Sequence, residues 1–329
     1  QPVPTPVPTP APEPSPTQQP QPVSQKTWDI QSVDAMKYTK DVICSPKDEV
    51  WIGKWVDKAV EIGATHVAVS TPYDNPKCGN AVEYTKTWIR VIRSKGLHVF
   101  HRQMPLQFEG IYDNPKSPGT NFITQVSNYI KANKENYQEG DIFTPVPEPQ
   151  NGGIAGVSYC AQNTCIFNNA SSFNKWLRDI TVSSRDAFAS IGLKDKVKVG
   201  YYGFDGYIAW GHNNPDWQGK GFLENDTVNL IGHIAVDHYP EAVGTSMGPD
   251  LEELEKRFPG IPIIIGEWGT IGWGDTEQQV RNSMGGAKKS SVVGFNYWHL
   301  GPGGNEALIN NDFSNRPQFD EVQLFYKPK

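Results

Sequence analysis

Two glutamates stand where a strand-like segment gives way to a loop. Glu148 lies in Pro147-Glu148-Pro149-Gln150-Asn151, and Glu267 ends the run Ile263-Ile264-Ile265-Gly266-Glu267-Trp268-Gly269. Counted along the chain, Glu148 closes the fourth predicted strand and Glu267 the seventh. A carboxyl pair at strand ends is what cleavage of a glycosidic bond needs. One group protonates the leaving oxygen and the other attacks the sugar carbon. For either glutamate alone, a solvated loop residue is the plainer reading. The isoleucine run that leads into Glu267, and Trp268 as an aromatic wall beside it, favour the pair.

Such a pair needs a scaffold that brings strand ends together. From Trp28 onward, strand and helix patterns alternate. Strands are predicted around Trp28–Met36, Thr65–Thr71, Leu97–Met104, Ile142–Val146, Val197–Gly203, Ile234–His238, Ile261–Gly266 and Val292–Trp298. Helices are predicted near Asp48–Ile62, Ala81–Lys95, Asn121–Asn133, Ser172–Ile191, Leu223–Ile231, Asp250–Arg257 and Thr276–Lys289. Asp48 and Asp250 read as N-terminal helix residues, Gly63 and Gly96 as C-terminal stops. Trp51, Ile52, Trp55, Ala59 and Ile62 recur at helical spacing in the first helix. Eight strands separated by seven helices predict an α/β fold, a single (β/α)8 TIM barrel over residues 27–329. An open doubly wound sheet is the rival, but no glycine-rich phosphate loop follows the first strand.

In a barrel the catalytic face is built from the C-terminal strand ends. Those ends gather Tyr73 with Asp74, His101 with Arg102, Glu148, Tyr202, His238 with Tyr239, Glu267, and Trp298 with His299. Alternation puts Ile263, Ile265 and Glu267 on one side of the seventh strand. The isoleucines would then fill interior layers, with the carboxylate above them at the mouth.

These residues resemble the clan A glycoside hydrolases, barrels with catalytic glutamates after strands four and seven. The matching stretches are Glu148 in its Pro-Glu-Pro-Gln-Asn setting, Asp237-His238-Tyr239-Pro240 after strand six, Ile265-Gly266-Glu267-Trp268-Gly269, and Tyr297-Trp298 on strand eight. The resemblance implies that Glu148 is the acid/base and Glu267 the nucleophile. It implies that Tyr239 orients that nucleophile and that Trp298 floors the subsite where the bond breaks. Clan members usually carry an Asn before the acid/base to bind the sugar 2-hydroxyl. Here that position is Pro147, and Gln150 or Asn151 would supply the amide.

The two carboxyls need different surroundings, one protonated near neutrality and one ionised and well hydrogen-bonded. Arg102 could donate to Glu267, or could be an ion-pair partner of Asp74 or Glu109. Retention of configuration calls for carboxyls roughly 5 Å apart. His101, His238 and His299 invite a zinc reading, but no close His pair accompanies them. Hydrogen bonding to substrate or to the glutamates fits the three histidines better, so no metal or cofactor is expected. Trp210, Trp217 and Trp273 fall in loops, where an indole can be a stacking platform for a pyranose face, but for any one of them core packing under the loop is the plainer reading.

Composition limits the partners. The 329 residues carry a net charge of -6, with pI near 5.7, which argues against nucleic acid. No run of about 18 apolar residues exists to span a membrane. Proline at every even position from Pro2 to Pro16 makes residues 1–26 an extended, disordered Pro/Thr-rich linker. Cys44, Cys78, Cys160 and Cys165 form an even set without Cys-x-x-Cys spacing. Cys160 could pair with Cys165 and Cys44 with Cys78, which suits a secreted or surface-tethered protein. The expectation is a monomeric, secreted, retaining β-glycosidase on a β-linked polysaccharide. An endo-β-glucanase leads, with mannanase, xylanase or a non-catalytic carbohydrate-binding barrel as alternatives.

Overall fold

The computed structural model describes residues 27–41, 45–70, 81–103, 120–148, 170–203, 223–240, 244–288 and 290–328. The Pro-rich stretch, all four cysteines, Tyr73, Asp74, Glu109, Gln150, Asn151, Trp210 and Trp217 lie outside them. The strands are β1 (Ile30–Asp34), β2 (His66–Ser70), β3 (His98–Arg102), β4 (Ile142–Thr144), a split β5 (Lys198–Val199 and Tyr202–Gly203), β6 (Ile234–Asp237), β7 (Ile263–Trp268) and β8 (Val292–Tyr297). All neighbouring pairs among them are parallel. The order runs from the first piece of β5 through β4, β3, β2, β1, β8, β7 and β6 to the second piece of β5. The two pieces thus meet β4 on one side and β6 on the other, and the sheet curls round as a (β/α)8 barrel.

Helices follow the strands: α1 (Glu49–Ile62), α2 (Ala81–Ser94), α3 (Thr120–Ala132), α4 (Ala170–Ser190), α5 (Asn225–Ile231), α6 (Met247–Arg257), α7 (Thr276–Lys288) and α8 (Pro317–Tyr326). Asp48 caps α1, its carboxylate accepting from the Trp51 amide at 2.8 Å, and Gly63 ends it in the left-handed region at φ 97°. The sequence pattern predicts seven helices, α1 to α7. α8, the eighth, docks where the sheet closes on itself: Tyr326 Oη donates to Ser32 O of β1 at 2.7 Å and to Phe295 O of β8 at 2.9 Å.

The apolar residues divide into two layers. Ile30, Ala68, Phe100, Ile142, Ala235 and Ile264 fill the barrel interior, one from each of six strands. A much larger cluster, with Trp55, Trp88, Ile263, Ile265 and Phe295, lies between sheet and helices. Interior and exterior positions alternate along each strand, as pleating requires. Ile263 and Ile265 therefore face the helices and Ile264 faces in, the reverse of the expected arrangement. Glu267 still points inward because the β6–β7 register slips: Val236 pairs with Ile265, but Asp237 pairs with Glu267. Gly266 is the extra residue, and a bulge of this kind re-aims every side chain beyond it.

Candidate active site

Five strand ends deliver polar side chains to the mouth of the barrel. Asp34 ends β1, Arg102 ends β3, Asp237 ends β6, Glu267 is near the end of β7 and Asn296 of β8. Asp34, Arg102 and Asp237 share their strand's inward face with a residue of the interior layer, Glu267 does so through the β7 bulge, and Asn296 has the parity of Gly294, which pairs with the inward Ile264. Glu148 lies just past β4, with only 5% of its surface exposed. Its φ of 45° places it in the left-handed region, a conformation that costs a non-glycine residue on the order of 1–3 kcal/mol and clusters at functional sites. Prolines on both sides restrict the backbone that aims this carboxylate.

Glu148, Asp237 and Glu267 are all buried, and one carboxylate oxygen of each lies within 4.8 Å of the others. Glu267 is held at both oxygens: Arg102 Nη2 donates to Oε2 at 2.9 Å, and Tyr239 Oη donates to Oε1 at 3.0 Å. Arg102 is itself anchored, Nη1 donating to Asp34 Oδ2 at 2.6 Å. The same Asp34 oxygen accepts from Asn296 Nδ2 at 3.0 Å, while Asp34 Oδ1 accepts from the Met36 amide at 2.6 Å. Asp34 and Arg102 have no exposed side-chain surface, so this is a fully desolvated ion pair leading to a carboxylate. Trp298 is half-buried above it, its ring centroid 5.6 Å from the Arg102 guanidinium carbon.

Burial pushes the Glu267 carboxyl well above its ordinary value, and negative charge on Glu148 pushes the same way. Arg102 opposes both, Asp34 adds to the rise, and the Tyr239 hydrogen bond favours the ionised form. Burial, then the charges of Glu267 and Asp237, push the Tyr239 phenol well above its ordinary value, so it remains a donor. The carboxyl trio is also, among the described residues, the group whose oxygens converge closely enough to share a metal ion. A cation there would compete with the Arg102 guanidinium for Glu267. The donor set suits a reaction centre that moves protons.

Several sequence-predicted site residues are placed elsewhere. His101 was expected at the mouth, but it has the opposite parity to Arg102 on β3 and faces the helices. Its ring lies 4.7 Å from that of Tyr137, and Nε2 is 3.5 Å from Asp141 Oδ2. Burial pushes the His101 imidazolium down; burial also works against the Asp141 carboxylate, yet His101 and Arg93 hold it at about 2. His238 likewise follows the inward-facing Asp237 and turns to α6, with Nε2 2.8 Å from Asp250 Oδ2. Asp250, expected to begin α6, sits in its first turn instead. His299 Nε2 meets Glu306 at 3.2 Å, so the three histidines diverge. Trp268 is fully buried, edge-on to Phe295 and Tyr297, and walls the core rather than the cleft. Tyr202 stands in the second piece of β5, its side chain outside the described set.

Asp34 and Asn296 were missed. The available signal was a polar residue on the inward parity of a buried strand: Ile30-Gln31-Ser32-Val33-Asp34 and Gly294-Phe295-Asn296-Tyr297 each carry one. Extending the first strand to Met36 hid Asp34 inside it.

No protein-family profile matches this chain, and no curated protein matches it in sequence. Solved structures do match. A GH5_18 protein from Bifidobacterium longum subsp. infantis superposes with a TM-score of 0.68 at 10% identity, over 91% of this chain and 79% of that one. A GH5_18 protein from Streptomyces cattleya, in complex with GlcNAc, gives 0.66 at 11% identity, over 93% and 82%. A GH5-4 broad-specificity endoglucanase from Clostridium acetobutylicum gives 0.61 at 12% identity, over 90% and 96%. What the chain shares with these glycoside hydrolase structures is the (β/α)8 barrel. At these identities the likeness is one of fold.

Proposed function

We propose that the protein is a retaining β-glycoside hydrolase acting on a β-linked polysaccharide, with an endo-β-glucanase as the first candidate. The observation that carries this reading is the pair Glu148 and Glu267, both buried, with carboxylate oxygens within 4.8 Å across the barrel mouth. That spacing suits direct attack on the sugar, since an inverting pair stands roughly 6.5–9.5 Å apart to admit a water. Likeness in fold to an endoglucanase supports the substrate class.

In the first step Glu267 attacks the anomeric carbon while Glu148 gives its proton to the departing oxygen. The reaction needs the negative charge on Glu267, where Arg102 and Tyr239 donate, and the proton on Glu148. As the glycosyl ester forms, Glu267 loses its charge, and Glu148, now ionised, takes a proton from water for the second displacement. The half-buried Trp298 offers a ring face to the sugar beside the nucleophile.

The test is release of reducing ends from a panel of β-glucan, mannan and xylan. Turnover is expected on at least one, and Glu267→Gln should remove about three or more orders of magnitude of it. Glu148→Ala should slow natural glycans far more than an aryl glycoside with a good leaving group, and azide should restore part of the rate. Binding without turnover by the unaltered protein would replace the hydrolase with a carbohydrate-binding barrel.

A further inference from the structure

The loop after β7 presents an indole to solvent. Trp273 is 67% exposed, whereas the other large exposed apolar residues among those described, Val50, Val60, Val182 and Leu324, lie on helices of the outer ring. The sequence reading favoured core packing for Trp273, and that exposure overturns it. The loop is also built to hold it. Gln279 of α7 clamps the backbone on both sides of Gly272, its Nε2 donating to Trp273 O at 2.6 Å and its Oε1 accepting from the Ile271 amide at 2.9 Å. Gly272 and Gly274 flank the indole with φ of 79° and 73°, left-handed turns that other residues rarely adopt. A Cβ on Gly272 would lie 2.3 Å from Asn305 Cβ, so this loop packs directly on the loop after β8. An exposed tryptophan on such a braced turn is preorganised for a ligand.

Position identifies the ligand. The loop leaves the C-terminal end of β7, on the face of the barrel that carries Glu148 and Glu267. Trp273 follows Glu267 by six positions, a reach of at most about 20 Å. A flat indole at that remove suits the apolar face of a pyranose ring. We infer that Trp273 is a stacking platform for a sugar unit distant from the cleaved bond, on the same β-glycan chain that occupies the mouth. This rests on the proposed hydrolase reading and adds a subsite to it.

The experiment compares oligosaccharides of increasing length, cut from whichever β-glycan the unaltered protein hydrolyses, with Trp273→Ala and Trp273→Phe. The loss of kcat/KM in Trp273→Ala should grow with length, reaching about tenfold for chains long enough to reach the indole, and Trp273→Phe should recover part of it. In a Glu267→Gln background, calorimetry should show the same length-dependent loss of affinity without turnover. A loss equal at every length, or none, overturns the subsite while leaving the hydrolase reading intact. A change in oligomeric state with a flat length profile would assign the indole to a contact between copies instead. If the unaltered protein neither cleaves nor binds a β-glycan, both readings fall together.

Discussion

At the scale of single residues, Asp34 is the group whose removal says most about the site. It neutralises Arg102 in a fully buried pair, and its negative charge, after burial and the charge of Glu148, helps to push the Glu267 carboxyl up. Asp34→Asn removes one of the two carboxylates that face the buried Arg102 guanidinium and leaves Glu267 as the other, so the loss of stability stays below the about 3–5 kcal/mol of a buried charge left wholly unpaired. In the protein that remains folded, Arg102 acts on Glu267 undiluted. The Glu267 carboxyl should then ionise at lower pH, and the acid limb of kcat/KM should move down by on the order of one pH unit. A merely structural role predicts the opposite sign: a displaced Arg102 would stop supporting the ionised form, and the limb would move up. The pH–rate profile of Asp34→Asn separates the two.

At the scale of elements, the β7–β8 pair sets the geometry of the mouth. Gly266 bulges out of register and turns Glu267 inward, and Gly269 then lets the chain pass against Trp298. A Cβ at Gly269 would sit 1.7 Å from Trp298 O, so a strand end must move to admit it. Gly269→Ala should therefore cost about 1–3 kcal/mol and lower activity, because Trp298 moves with its backbone. Gly285→Ala on α7 is the control. The nearest atom to a Cβ there is Phe325 Cζ at 3.9 Å, and alanine in a helix gains up to about 1 kcal/mol over glycine. Thermal melts of the two variants should move in opposite directions.

At the scale of the whole molecule, a buried histidine should make this barrel less stable as acid is added. His233 precedes β6 at the end of the barrel opposite the mouth that holds Glu148 and Glu267. Burial first, then the charges of Lys198 and Arg185, push its imidazolium down to about 3. An unfolded histidine takes its proton near 6.5. Between those values the unfolded chain binds a proton that the folded protein refuses, so stability falls as pH falls from about 6.5 to about 3. One such group contributes a slope of about 1.4 kcal/mol per pH unit within that window. Denaturant melts at stepped pH should show the slope, and His233→Gln should remove one proton's worth of it. An unchanged slope in the variant would clear His233 of the role.

What the sequence by itself determined was the fold and the carriers of its most reactive groups. Strand and helix periods depend on local spacing, so the alternation that predicted a (β/α)8 barrel could be read without coordinates. Asp48 and Gly63 at the ends of α1 were legible for the same local reason. Glu148, Glu267, Arg102, Tyr239 and Trp298 were named because each lies at or near a strand end, and the barrel brings strand ends together. The facing of side chains was another matter. His101 and Arg102 are adjacent on β3, and pleating sends one to the helices and the other to the mouth. Gly266 shows why such parity cannot simply be counted: a bulge is a property of two strands in register, and one extra residue inverts everything beyond it. Asp34 and Asn296 stayed hidden because each gains its place from a partner far along the chain, Arg102 for the first and Asp34 for the second. Local spacing carries no record of those partners. Only closure of the sheet, which sets β8 beside β1 and Arg102 across from both, put them within reach of Glu267.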